Sequence, residues 1–157
     1  MERLNGGNEY DLGRDFVASV RLDLQHYLWK ETLRYDLHPR AGADSSSVGL
    51  RIADVGTGTG IFILSLARRL PPSCSFVGFD ISDAQFPISE SIPKNVSFRV
   101  ANAMTEPPHD LQSQFDIVHL RLFVCVVENN DPLPALNFCL KLLMLRRAWW
   151  FFAMGRV

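Results

Sequence analysis

The sequence predicts an α/β fold in which an open sheet of parallel strands is flanked by helices. From residue 50 onward, apolar segments with the length of buried strands alternate with segments of helical periodicity, and short connections join them. Three glycines within residues 56–60 directly follow the first strand-like segment, and a helix-like segment follows the glycines. The connections between parallel strands of one sheet are right-handed, and in such sheets ligands bind beyond the carboxyl ends of the strands. We therefore expect the functional residues directly after the strands.

The chain before the sheet is predicted to form a helical cap and a loop over residues 1–48, within a single domain of residues 1–157. Asp11 is placed to cap a helix that ends before Pro39, because the residue ahead of a proline is pushed out of the α region. Apolar residues recur along this helix at helical spacing, at Phe16, Val17, Val20, Leu24, Tyr27 and Leu28. Its charged residues, Arg14, Arg21 and His26, are expected more often on a solvated face than in a site.

The α/β core is predicted over residues 49–145, followed by an atypical tail at 146–157. Strands are expected at 50–55, 75–80, 95–102 and 115–120, and helices at about 60–70 and 130–145. The first strand is apolar on both faces, which is typical of a central parallel strand, whereas the third alternates, which is typical of a sheet edge. The last helix begins at Asn130-Asp131-Pro132 and continues on Leu133, Leu136, Leu140 and Leu143.

Composition and charge exclude several classes of protein. A formal charge of −1 gives no basic surface for nucleic acid. The first ten residues are polar, so no secretory signal is predicted, and the apolar runs are too short to span a bilayer. We therefore expect a cytoplasmic protein without nucleic-acid or membrane partners. The widely spaced Cys74, Cys125 and Cys139 are expected to be reduced core thiols, and no metal site is predicted.

The glycine spacing distinguishes two nucleotide-type cofactors. A dinucleotide requires the pattern GxGxxG, whose third glycine would fall at Ile61. The observed pattern is GxGxG preceded by Asp54, which suits S-adenosylmethionine, a ligand with a sulfonium and an amino acid end but no phosphate. Asp54 can orient the amino group, Asp80 can accept hydrogen bonds from ribose hydroxyls, and Asn102 can bond the adenine edge.

These residues belong to longer stretches that resemble a class I S-adenosylmethionine-dependent methyltransferase. The matching stretches are NEYDLGRDFVASVRLDLQHYLW, ADVGTGTGI, GFDIS, EPPHDL, FDIVHLRL and NNDPLPAL, within residues 8–145. They are most similar to fungal methyltransferases of secondary-metabolite clusters, including relatives of the LaeA type. The resemblance implies a Rossmann-like open parallel sheet with an N-terminal helix over the cofactor, and S-adenosyl-L-methionine as that cofactor.

The resemblance also implies which positions form the site. The cofactor-binding residues are Asp54, Gly56, Thr57, Gly58, Gly60, Asp80, Ile81, Asn102 and Ala103. Candidate substrate contacts are Tyr10, Arg14, His26, His119 and Arg121. Plainer interpretations stay open: the glycines as a tight turn, Asp80 as a solvated acid, and Asn102 as an ordinary turn residue. His119 is either a packed, hydrogen-bonded histidine or a base.

The function implied is O- or N-methyl transfer to a small molecule in fungal secondary metabolism. No catalytic residue is predicted, because the sulfonium is already a good leaving group and the protein mainly aligns donor and acceptor. The alternative is a non-catalytic relative, either a cofactor-binding remnant or a LaeA-like regulatory partner, for which a nuclear location is expected.

The tail departs from the family pattern. After residue 145 the family continues with a proline-glycine turn, a fifth strand and two further strands, whereas this chain reads LLMLRRAWWFFAMGRV. We expect a truncated or misannotated product whose sheet lacks the last two strands. AWWFFAM is predicted either to supply a makeshift fifth strand or to be a tail without a designed role. Its aromatic residues are a candidate surface for a protein partner.

Overall fold

The fold is an open parallel sheet, as the sequence predicts. The computed structural model describes residues 15–123, 126–144 and 149–153, the last of these as backbone only. Five parallel strands lie in the order β3-β2-β1-β4-β5. They are β1 (Arg51–Val55), β2 (Ser75–Asp80), β3 (Val96–Val100), β4 (Ile117–Arg121) and β5 (Trp149–Ala153). The predicted central position of the first strand and edge position of the third are both confirmed.

Helices cover both faces of the sheet. They are α1 (Phe16–Leu33), α2 (Ile61–Ala67) and α3 (Leu133–Leu142). Alternate strand residues point to opposite faces, so the sheet divides the apolar core into two clusters. The cluster under α2 includes Ile52, Phe62, Ile63, Leu66, Phe76 and Ile117. The cluster under α3 includes Val55, Phe79, Phe115, Leu120, Phe138 and Leu142.

The first helix is shorter than predicted and buries a different face. Asp15 is its N-cap, accepting a hydrogen bond from the N–H of Ala18 at 2.8 Å, whereas the predicted cap, Asp11, lies outside the described residues. The helix ends at Leu33, because Arg34 takes a left-handed conformation with φ of 65°. The six predicted apolar positions are all exposed, from 48% at Val20 to 82% at Phe16. The side of the helix that faces the rest of the protein carries Ala18, Leu22, Gln25 and His26.

The last helix is also shorter than predicted and also buries a different face. Asp131 Oδ1 accepts the N–H of Leu133 at 3.0 Å, so the predicted helix start is confirmed. The helix ends at Leu142, a few residues earlier than predicted. Two of the predicted apolar positions, Leu133 and Leu140, are exposed, and the buried positions are Ala135, Phe138, Cys139 and Leu142. The face of α3 that packs on the sheet is the one that carries Phe138, whose ring lies edge-on to that of Phe79.

The tail supplies a fifth strand, the first of the two interpretations. β5 pairs in parallel with β4, from Ile117 opposite Trp149 to Arg121 opposite Ala153. The side chains of the tail lie outside the described part, so its role as a partner surface remains a prediction. Within the described ranges, no helix is long and apolar enough to cross a membrane.

The described cysteines are buried thiols, as predicted. Cys74 and Cys139 are free and buried, and Cys125 lies outside the described residues. Burial raises the pKa of Cys139 to about 12, so its thiol stays protonated at neutral pH. A protonated, buried thiol is not a nucleophile, and Cys139 is a core residue.

Candidate functional site

A cavity of about 410 Å³ opens at the carboxyl ends of β1, β2 and β4 and lies beneath α1. This volume is in the range of small-molecule pockets. Of the predicted cofactor residues, all except Gly60 line the cavity. Of the predicted substrate residues, His119 and Arg121 line it, whereas Tyr10 and Arg14 lie outside the described residues. The sequence did not single out Leu22, Gln25 and Phe62, which also line it.

The glycine loop, residues 56–60, forms the floor of the cavity. The N–H groups of Gly56 and Thr57 both donate to the carbonyl of Phe79 on β2 at 2.9 Å, which joins the loop to the neighbouring strand. The N–H of Gly60 then donates to the carbonyl of Thr57 at 2.9 Å, and α2 begins at the next residue. The three glycines of the loop have φ between +54° and +73°, a region that L side chains adopt only with strain. The loop is thus a tight turn that also lines a cavity.

The carboxylate of Asp80 lies at the end of β2 and is joined to this loop. Its Oδ2 accepts the N–H of Gly58 at 2.8 Å. Next to it, Ile81 is 51% exposed at the cavity, and Ala103 is buried. Asn102 Oδ1 accepts the N–H of Met104 at 2.9 Å, so its oxygen already serves the local turn while the residue lines the cavity.

A buried polar pair joins β1 and β4. Asp54 and His119 lie opposite each other in the parallel register, and Asp54 Oδ1 is 2.7 Å from His119 Nδ1. Since a carboxylate only accepts, Nδ1 carries the proton and Nε2 is the acceptor of this imidazole. Thr57 donates to Asp54 Oδ2 at 2.7 Å, and the His119 ring stacks on Phe62 with 3.7 Å between centroids. His119 is therefore packed and hydrogen-bonded, one of its two predicted interpretations, and its action as a base remains a prediction.

Arg121, which lines the cavity, contacts His26, a predicted substrate residue that does not line it. Arg121 Nη2 lies 3.3 Å from His26 Nδ1, and because a guanidinium only donates, this nitrogen of His26 accepts. His26 is 1% exposed, so the prediction that it lies on a solvated face is wrong. The signal that could have placed it is Trp29, three residues further on the same helix face, whose ring also contacts Arg121.

The roof, α1, is attached to the rest of the site by polar side chains. Thr59 in the glycine loop donates to Asp23 at 2.6 Å, and Gln85 donates to Ser19 at 3.1 Å. Lys30 donates to Ser65 on α2 at 3.2 Å. Few apolar side chains support these contacts, since Ala18 and His26 are the only buried residues of this helix.

His26 is held neutral by its surroundings. Burial lowers the pKa of His26, the charges of Arg121 and Lys30 lower it further, and those of Asp36 and Asp54 oppose them. Asp36 is itself buried and pairs with Lys30 at 3.2 Å and with Arg69. His26 Nε2 is 4.0 Å from Asp36 Oδ1, and neither atom has a hydrogen-bond partner in the described part of the chain.

We expect the stability of the fold to fall in mild acid because of His26. The unfolded chain protonates this histidine near pH 6.5, whereas the folded chain resists protonation, so its contribution is complete above that pH and is lost as the pH falls below it. Thermal unfolding from about pH 7.5 to about pH 5 measures this loss. His26→Asn keeps an acceptor for Arg121 and should show a smaller loss over the same range. An equal loss in both proteins would contradict the assignment.

The sequence comparisons agree with this geometry. The profile of a protein family described as "Methyltransferase domain" matches residues 46–145, which contain every strand of the cavity edge and the whole glycine loop. The chain belongs to this family. The resemblance to class I methyltransferases and the predicted fold class are thereby confirmed. S-adenosylmethionine is the cofactor that membership implies for this methyltransferase domain.

Individual proteins show the extent of the similarity. "Methyltransferase grgD" from Penicillium sp is 34% identical over 79% of this chain and 45% of its own length. "N-methyltransferase gliN" from Aspergillus fumigatus is 28% identical over 94% of this chain and 51% of its own length. The methyltransferase domain thus spans about half the length of these curated relatives. A SAM dependent methyltransferase from Aquifex aeolicus superposes with a TM-score of 0.59 at 17% identity, over 82% of this chain and 67% of that one.

The residues present fit the implied cofactor. Hydroxyl and amine groups of S-adenosylmethionine need acceptors, and Asp80 and Asp54 provide carboxylates beside the glycine loop. The adenine needs an apolar surface, which Ile81, Ala103 and Met104 supply at the cavity. Of the described residues that line the cavity, none is a lysine.

Proposed function

We propose that this methyltransferase domain transfers a methyl group from S-adenosylmethionine to a nitrogen or oxygen atom of a small molecule, in fungal secondary metabolism. The observation that carries the proposal is the juxtaposition of the Asp80 carboxylate with the N–H of Gly58 at one cavity edge. The sequence resemblance supports secondary metabolism as the setting. The name of the Aspergillus fumigatus relative favours nitrogen as the acceptor atom.

The proposed roles follow the positions of the side chains. Asp80 accepts hydrogen bonds from the ribose hydroxyls, because its carboxylate ends β2 beside the loop. Ile81, Asn102 and Ala103 surround the adenine, and they follow the ends of β2 and β3. The glycine loop and Asp54 hold the methionine end, at the end of β1.

The protein's part in the reaction is alignment and protection. When bound, the cofactor supplies an activated methyl group on its sulfonium. The chain's own residues position the acceptor in line with that methyl group beneath α1 and exclude water from it. His119 is placed to accept a proton at Nε2 when the acceptor must lose one, since Asp54 fixes the proton on Nδ1.

Calorimetric titration with S-adenosylhomocysteine tests the proposal. Asp80→Ala removes a charged acceptor of two hydroxyl groups, so we expect affinity to fall roughly tenfold to hundredfold. Asp83→Ala is the matched control, because Asp83 is an exposed acid nearby that does not line the cavity. The control should bind as tightly as the wild-type chain.

Three results would count against parts of this proposal. A chain that unfolds cooperatively but shows no binding of S-adenosylhomocysteine would contradict the function. Unchanged affinity in Asp80→Ala would contradict the ribose assignment alone. Binding without methyl transfer to any amine or phenol of a test panel would favour the non-catalytic alternative that the sequence left open.

A further inference from the structure

A cationic side chain that lines the cavity has no carboxylate partner among the residues that the structure describes. Arg121 ends β4 and lines the cavity. Among the described residues, its only hydrogen-bond contact is with His26 Nδ1, and no carboxylate oxygen lies within 4.0 Å of its nitrogens. A guanidinium carries five N–H donors, and the described residues accept from only one of its nitrogens.

Aromatic rings hold the guanidinium in place. Its central carbon lies 5.6 Å from the ring centroid of Phe62 and 6.0 Å from that of Trp29. Rings at this distance attract the positive charge but offer no strong hydrogen-bond acceptor. The two rings therefore orient Arg121 without satisfying its N–H groups.

The nearest carboxylates are committed elsewhere. Asp54 is bonded to His119 and Thr57. Asp36 pairs with Lys30 and Arg69. Burial lowers the pKa of Arg121, and the charges of Asp54 and Asp36 only oppose that shift from a distance. Among the described residues no anion pairs with this partly buried cation, so a carboxylate on a bound ligand would complete its contacts.

We propose, on the basis of the proposed function, that Arg121 forms a carboxylate-binding subsite of the cavity. A planar carboxylate matches the fork of a guanidinium and can accept two parallel hydrogen bonds. The carboxylate is either the α-carboxylate of the methionine end of the cofactor or one on the methyl acceptor. The first source has a positional argument, because β4 lies directly beside β1, whose end carries the glycine loop.

The first arm of the test compares two ligands that differ only in this group. Calorimetry on the full chain measures the affinities for S-adenosylhomocysteine and for its decarboxylated analogue. We expect the wild-type chain to prefer S-adenosylhomocysteine by roughly tenfold to hundredfold, and Arg121→Met to reduce this ratio to about one. Arg121→Lys keeps a charge without the fork and should retain part of the ratio.

Matched variants separate recognition from damage to the fold. Arg121→Met keeps an unbranched apolar stem against Phe62 and Trp29, and the ratio of two affinities does not depend on the folded fraction. Arg99→Met removes an arginine that pairs with exposed Asp110 away from the cavity. This control should keep the wild-type ratio, which excludes a general effect of net charge.

The second arm tests the acceptor as the source. Acetate is titrated into the chain saturated with S-adenosylhomocysteine, and the arginine side-chain resonances are followed by NMR. An Arg121-dependent response to acetate, with no preference between the two nucleosides, would assign the subsite to the acceptor.

The outcomes distinguish this proposal from the proposed function. If S-adenosylhomocysteine does not bind, the proposed function fails, and acetate titration of the unliganded chain still tests the subsite. A ligand preference that survives in Arg121→Met, or no preference together with no acetate response, would overturn the carboxylate-binding role of Arg121.

Discussion

Gly60→Ala is expected to lower the free energy of unfolding by roughly 2–4 kcal/mol, since it combines a left-handed backbone with overpacking. Gly60 has a φ of +73°, and a Cβ built on it would lie 2.5 Å from two carbon atoms of the Phe98 ring. That ring is only partly buried, but it packs against Phe86 with 5.1 Å between centroids, which limits its retreat. Chemical denaturation monitored by tryptophan fluorescence or circular dichroism measures the loss.

A second glycine separates the two causes. Gly49 has a φ of +68° but no heavy atom within 4 Å of a built Cβ. Gly49→Ala therefore carries the backbone strain without the contact, and we expect a loss of roughly 1–2 kcal/mol. Equal losses in the two variants would show that Phe98 moves aside and that the close contact has no energetic consequence.

Asp54→Ala is expected to destabilise the fold by roughly 2–4 kcal/mol, because it leaves two buried donors without their acceptor. The side chain of Asp54 is 5% exposed, and its oxygens accept from His119 Nδ1 and Thr57 Oγ1, each at 2.7 Å. Both donor residues are buried, with Thr57 7% and His119 8% exposed, so each loses its acceptor in a poorly hydrated place when the carboxylate is removed. Urea denaturation gives the change in the free energy of unfolding.

Two further variants give this result its meaning. Asp54→Asn keeps one acceptor oxygen and should lose less stability than the alanine variant. Asp110→Ala removes a solvent-exposed carboxylate that pairs with Arg99, and such pairs contribute little. Asp54→Ala would have to be clearly less stable than Asp110→Ala, and similar stabilities would refute a structural role for the buried pair.

The strands could be predicted from the sequence, whereas the helix faces could not. A parallel strand buried on both sides, such as β1, carries apolar residues on both of its faces, so its location can be predicted without choosing a face. In α1, apolar residues occur all around the helix, and the spacing of Phe16, Val20 and Leu24 fits a buried face that the structure leaves exposed. Periodicity identifies a helix, but the partner element decides which side it buries.

The sequence could predict which residues gather at the ends of the strands, but it could not predict which side chains pair with each other. The positions of Asp54, Asp80 and Asn102 follow from the topology, because parallel strands place their carboxyl ends together. The contact between His26 and Arg121 joins residues far apart in the chain, and it forms only because α1 crosses the end of β4. The sequence around either residue carries no sign that the helix and the strand meet, so this contact could not be predicted.

The attachment of α1 has a consequence for access to the cavity. Its ties to the rest of the site are hydrogen bonds and charges, such as those from Thr59 to Asp23 and from Lys30 to Asp36. Attraction between charges is screened by dissolved salt, whereas the hydrophobic effect is strengthened by warming from the cold and by excluded salts. We therefore expect a rise in ionic strength to weaken the attachment of this roof, so that the rate at which ligands enter would depend on the medium as well as on the protein.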